Sequence, residues 1–230
     1  WLKKHMPDDR SVIYTNLTNS MGVLVLAGPK SRDLLQKLTL SDLSNAAFPW
    51  LSGQKIGVNL APALALRVNF VGELGWELHH PIEYQNHIFD ALFKEGAAFG
   101  LKPFGIRAMD AMRLEKSYRM VGTEMSIEYA AFESGLHRFV QMQKEDFIGR
   151  DSLAAWQEKG FANTFVTLEV KGVDDADALG GNPIYSDGKL AGRATSGGYG
   201  FRVEKSLALA MVPPELATLG TCLEIDILGQ

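Results

Sequence analysis

Hydrophobic positions alternate with small or polar ones over 63–70, where Leu64, Leu66, Val68 and Phe70 are interleaved with Ala63, Ala65, Arg67 and Asn69. That period of two predicts a half-buried strand. A partner strand is predicted at 76–80. Between them lies Val71-Gly72-Glu73-Leu74-Gly75, whose two glycines permit the positive φ of a hairpin turn. Upstream, 23–26 reads as a short buried strand closed by Gly28-Pro29, and Leu34, Leu35 and Leu38 predict a helix over 31–38. The stretch 41–60 holds turn residues and short apolar pieces. Helical spacing returns at Ile88, Leu92 and Phe99, predicting a helix over 83–99 that Gly100 ends. Ile106, Met109, Met112 and Leu114 predict another, opened by Pro103 and running to about 118. A short helix is expected at 151–158.

After Gly160 the pattern becomes that of short strands. Residues 164–170 alternate, Asp187-Gly188 is a two-residue hairpin signal, and 206–212 and 222–228 supply further strands. Ser196-Gly197-Gly198-Tyr199-Gly200 reads as a tight turn between strands. It lacks the G-x-G-x-x-G spacing and the strand-to-helix setting of a phosphate loop. The expected fold is α+β in three lobes: a partial lobe at 1–60, a second at 61–150, and a β-barrel-like module at 151–230. The chain opens on Trp1 rather than Met and closes on a strand pattern, so a piece of a longer polypeptide, cut at both ends, is expected.

Composition narrows the function classes. The formal net charge of the 230 residues is -4 with both signs interspersed, which argues against a general nucleic-acid binder. No apolar run approaches the ~18 residues of a membrane span. The single Cys222 cannot form an internal disulfide and reads as a buried, inert thiol in a strand. His79 and His80 are adjacent on a strand and face opposite ways, so they cannot chelate one metal, and no metal site is expected.

Two sets of residues carry candidate chemistry. Glu77 follows Trp76 on the strand after the glycine turn, and Glu73 lies within the turn. A carboxylate among aromatics accepts hydrogen bonds and suits a ligand edge offering parallel N–H donors. On spacing alone, solvated hairpin positions are the favoured reading, since exposed glutamate is the common case. Arg107, Asp110 and Arg113 recur every three residues on one helix. They read either as an ion-pair ladder or as an arginine fork for a ligand carboxylate.

Five blocks in order resemble the glycine-cleavage T-protein (aminomethyltransferase) family. They are L-A-G-P-K-S-R at 26–32, F-V-G-E-L-G-W-E-L at 70–78, G-I-R-A-M-D-A-M-R-L-E-K at 105–116, F-I-G-R at 147–150 and T-S-G-G-Y-G at 195–200. They look closest to the folate domain that follows the flavin domain of dimethylglycine and sarcosine dehydrogenases. The resemblance implies tetrahydrofolate bound among the lobes, one-carbon transfer, and FAD in an upstream domain of the same polypeptide. It implies folate contacts at Glu77, Phe70, Arg107, Arg113 and Tyr199, and a catalytic aspartate upstream of residue 1.

The sequence departs from the family at two points. Phe70 stands where the hairpin motif usually has tyrosine, and Met109 stands where the helix motif A-R-D-x-x-R-L-E has its first arginine. Residues 144–151 lack the cysteine of the related iron–sulfur-assembly branch. The implied setting is a bacterial cytoplasm or a mitochondrial matrix. The alternatives are a glycine-cleavage T-protein proper, or a non-catalytic module on the same fold.

Overall fold

The structure, a computed structural model, describes residues 1–173 and 175–229. The fold is α+β, and the chain divides into two compact units: 1–69 with 73–103, and 70–72 with 104–230.

The first unit opens with the short helix α1 (Leu2–His5), then β1 (Met21–Ala27), α2 (Ser31–Leu38), β2 (Gly53–Val58), β3 (Ala61–Leu66), β4 (Gly75–Pro81) and α3 (Gln85–Gly96). The strands form one antiparallel sheet in the order β1-β4-β3-β2. The apolar spacing in α2 explains its fit. Leu34, Leu35 and Leu38 are buried against Leu26, Trp76, Leu78 and Ile88, each fully buried leucine contributing roughly 1.5–3 kcal/mol. Asp33 in the first turn of α2 and Lys37 in the last complement the helix dipole.

The β3–β4 hairpin is present, with Leu66 opposite Glu77 and Leu64 opposite His79. Strand β3 ends at Leu66, short of the expected 70. Arg67 leaves the ladder and turns its guanidinium to the Phe48 carbonyl at 2.6 Å. Within 41–60 the structure adds β2, which pairs with β3 through the two-residue turn Asn59-Leu60. Both turn residues have positive φ, 46° and 71°.

The second unit contains α4 (Ile106–Leu114), α5 (Arg150–Lys159), β5 (Thr164–Val170), β6 (Pro183–Ser186), β7 (Lys189–Gly200), β8 (Lys205–Val212) and β9 (Glu224–Ile225). Its antiparallel sheet runs β5-β8-β7-β6-β9. Helix α4 starts three residues after Pro103, because Gly105 is extended at ψ 173° and serves as its N-cap.

The glycine-rich segment expected as a turn is instead the end of β7, where Gly197, Gly198 and Gly200 pair with β8. Close packing explains these glycines: a Cβ on Gly197 would lie 2.4 Å from the Ala178 carbonyl oxygen. Cys222 precedes β9 and is exposed, not buried in a strand.

Candidate functional site

Strand pleating places Glu77 and His79 on the sheet face opposite Trp76, Leu78 and the helices. Their row holds Val23 and Val25 from β1 and Leu64 and Leu66 from β3. Val23, Val25 and Leu64 are 46%, 47% and 41% exposed, so this is an apolar face that the first unit leaves partly open. Glu77 is its acceptor. His79 Nε2 lies 3.0 Å from Glu77 Oε2, with both side chains about 30% exposed. A carboxylate only accepts, so in this pair Nε2 carries the proton. Oε1 is left for another donor. The i, i+2 spacing on a strand is the sequence signal for this pair. His80 faces the core side, within hydrogen-bond reach of the Leu78 carbonyl and Gln85 Oε1, both at 2.8 Å.

The hairpin turn is pinned at its base. Asn69 Nδ2 donates to the Glu73 carbonyl, and the Glu73 N–H donates to Asn69 Oδ1 at 3.2 Å. Phe70 itself is half-buried and belongs to the second unit.

The remaining candidates lie in that second unit. Arg107 is exposed on α4 and makes no ion pair among the described residues. Arg113 is wholly buried: Nε donates to Asp110 Oδ1 at 2.6 Å, and Nη1 to the Tyr118 carbonyl at 3.0 Å and to Glu124 Oε2 at 3.2 Å. Its charge is committed inside the unit, and the Asp110–Arg113 half of the expected ladder is present. Tyr199 is 41% exposed. It meets Phe201 edge-on at 5.2 Å and lines a concavity of about 710 Å³ shared with Glu169 and Lys205.

Glu124 carries the densest polar network, and sequence reasoning missed it. Oε1 accepts from Thr195 Oγ1 at 2.6 Å and Ser196 Oγ at 2.5 Å. Oε2 accepts from the Met120 N–H at 2.9 Å and Thr123 Oγ1 at 2.7 Å, besides Arg113. Burial alone would raise the carboxyl pKa, but the hydrogen bonds from Ser196, Thr195, Met120 and Thr123 outweigh it and hold it below the ordinary value. This network ties α4 to the glycine-rich end of β7.

Comparison with known proteins adds a consistent set of likenesses. Residues 1–144 match the GCVT N-terminal domain and 163–230 the glycine cleavage T-protein C-terminal barrel domain. The human mitochondrial dimethylglycine dehydrogenase is 41% identical over 94% of the chain, which spans 25% of that protein. An aminomethyltransferase of Desulfitobacterium hafniense is 32% identical over 94% of the chain, which spans 58% of it. The crystal structure of the glycine cleavage aminomethyltransferase T of Bartonella henselae has the same fold. Its TM-score is 0.79 at 21% identity, over 91% of this chain and 56% of that one.

Proposed function

The chain belongs to the glycine cleavage T-protein (aminomethyltransferase) family, and from that premise we propose that it is the tetrahydrofolate-binding part of a larger one-carbon-transfer enzyme of the dimethylglycine or sarcosine dehydrogenase type. The observation that carries the reading is Glu77. It is a half-buried carboxylate on a partly open apolar face, oriented by His79 through one oxygen and free to accept through the other. That donor set fits a pterin, whose ring is apolar on its faces and whose amino-pyrimidinone edge offers adjacent N–H groups.

Tetrahydrofolate, when bound, supplies the amine nitrogens that accept a one-carbon unit. The protein's own part is orientation. Glu77 fixes the N–H edge, and the valines and leucines beside it exclude water, which contributes several kcal/mol through positioning. Within the second unit, Phe70, Tyr199 and Arg107 are the candidates that the family resemblance implies: a ring face, a further aromatic and a fork suited to a carboxylate. Arg113 enters as a positioning residue that holds α4 through Asp110 and Glu124. In this reading a flavin domain elsewhere in the polypeptide supplies the oxidising chemistry, and the catalytic aspartate lies upstream of residue 1.

Calorimetric titration with tetrahydrofolate tests the assignment. Glu77→Ala is expected to weaken binding by about 1.5–3 kcal/mol, the range for a hydrogen bond to a charged group. Equal affinity in the native protein and the variant would sink the Glu77 reading. A second reading, a glycine-cleavage aminomethyltransferase, is supported by the similarity to the bacterial enzyme. Dependence on a lipoyl-bearing partner protein, with no flavin domain in the polypeptide, would favour it.

A further inference from the structure

On the other side of the first unit's sheet, three buried N–H donors have no hydrogen-bond partner among the described residues: Nε of Arg32, Nε of Arg67 and Nε1 of Trp76. They share one neighbourhood. Asn45 Oδ1 accepts from Nη2 of Arg32 at 2.7 Å and from Nη2 of Arg67 at 2.8 Å. The Arg32 guanidinium lies 5.9 Å from the centroid of the Trp76 ring, and Phe48 meets that ring edge-on at 6.2 Å. Phe48 also gives its carbonyl to Arg67 Nη1.

One neutral amide oxygen therefore serves two full positive charges. Neither guanidinium pairs with a carboxylate among the described residues, and the nearby Asp33 and Lys30 are both exposed. Burial lowers the Arg67 pKa, and the like charge of Arg32 lowers it further. Two planar forks that share one acceptor, each with a buried donor spare and no carboxylate partner among the described residues, are costly unless an acceptor completes them.

We propose that Arg32, Arg67 and Asn45, backed by the buried Trp76 ring, form a binding site for a small dianionic oxyanion of the phosphate class. A dianion matches both charges, and its oxygens suit two guanidinium forks. Solvent reaches the guanidinium edges beside Asn45, whose bonds to the arginines lie at the surface, while Trp76 is wholly buried behind Arg32 and reports the site from its inner side. The site is separate from the folate reading: Trp76 and Glu77 are successive strand residues and face opposite ways.

Titration calorimetry of the full chain with inorganic phosphate, at ionic strength held with chloride, is expected to show one saturable site. Arg32→Gln is expected to weaken it at least about tenfold, the scale of a charge-assisted hydrogen bond. Glu77→Ala is expected to leave it unchanged. Acetate, a monoanion, is expected to bind more weakly, and acetate binding as tight as phosphate would overturn the dianion assignment. No saturable heat, or equal phosphate affinity in Arg32→Gln, would overturn the site itself. If Arg32→Gln does not fold, the Trp76 indole N–H resonance of the native chain decides. It shifts saturably with phosphate if the site exists, and an unmoved resonance refutes it.

Discussion

A buried carboxylate with five donors is a commitment that one substitution exposes. Glu124 is 0% exposed and is held by Arg113, Met120, Thr123, Thr195 and Ser196. Glu124→Gln keeps the shape but removes one of the two carboxylates that pair with the buried Arg113, leaving Asp110. The expected loss is about 1.5–3 kcal/mol, the range for a hydrogen bond to a charged group, read from denaturant unfolding at neutral pH. The pH dependence follows from the depressed pKa. A carboxyl whose folded pKa lies below its unfolded value contributes stability that is fully present above the unfolded value, near 4.5. That contribution is lost as pH falls through the folded value. The native chain should therefore lose stability more steeply below about pH 4.5 than Glu124→Gln. Parallel slopes would show that the carboxylate is not the titrating group. Nothing in the sequence marks Glu124, because exposed glutamate is the common case and two of its partners, Thr195 and Ser196, lie 71 and 72 positions away. Glu77 and His79 are different, since two-residue spacing in an alternating segment already places them on one face.

At the level of elements, two hairpins show what turn chemistry makes legible. Asp187-Gly188 joins β6 to β7 with φ of 50° and 70°, and its sequence announces the turn. Asn59-Leu60 makes the same kind of turn between β2 and β3, with φ of 46° and 71°, yet leucine gives no such signal. Strand β2 was hidden with it, its alternation weakened by Gly53 and Gly57. Helix α2 and strand β5, by contrast, carry unbroken periodicity and follow the sequence pattern residue for residue. The glycine run at 197–200 misled for a related reason: glycine marks either a turn or a close approach, and here Ala178 and β8 crowd it. The strained turn gives a prediction. Leu60 is 97% exposed, so its side chain contributes little packing while its backbone sits in the left-handed region. Leu60→Gly is expected to stabilise the chain by about 0.5–1 kcal/mol, relief of strain outweighing the added freedom of the unfolded chain. A fall in melting temperature would contradict this account of the turn.

At the scale of the whole molecule, chain order and structural membership part company at residues 70–72. These three residues interrupt the first unit's sequence but belong to the second. Val71 is 3% exposed, and Gly72 adopts φ +71° where a Cβ would lie 2.4 Å from Lys116 Cγ. Three residues are too few to carry a periodicity, so no pattern in the sequence signals the excursion. The first unit has its own core around Leu35, Trp76 and Leu78, and the second packs around Ala208, Ala210 and Ile184. A substitution at Val71 should therefore be felt in the unit its sequence neighbours do not occupy. Val71→Ala removes buried hydrocarbon worth about 1–3 kcal/mol. Native-state hydrogen exchange should show protection falling by roughly tenfold or more in β7 and β8, since each 1.4 kcal/mol is a factor of ten. Strands β1 to β4 should hold their protection, although β3 ends at Leu66, shortly before the substitution, and β4 begins at Gly75, shortly after it. The opposite distribution, with β3 and β4 loosened and β8 unchanged, would mean that the hairpin tip draws its stability from the sheet it extends.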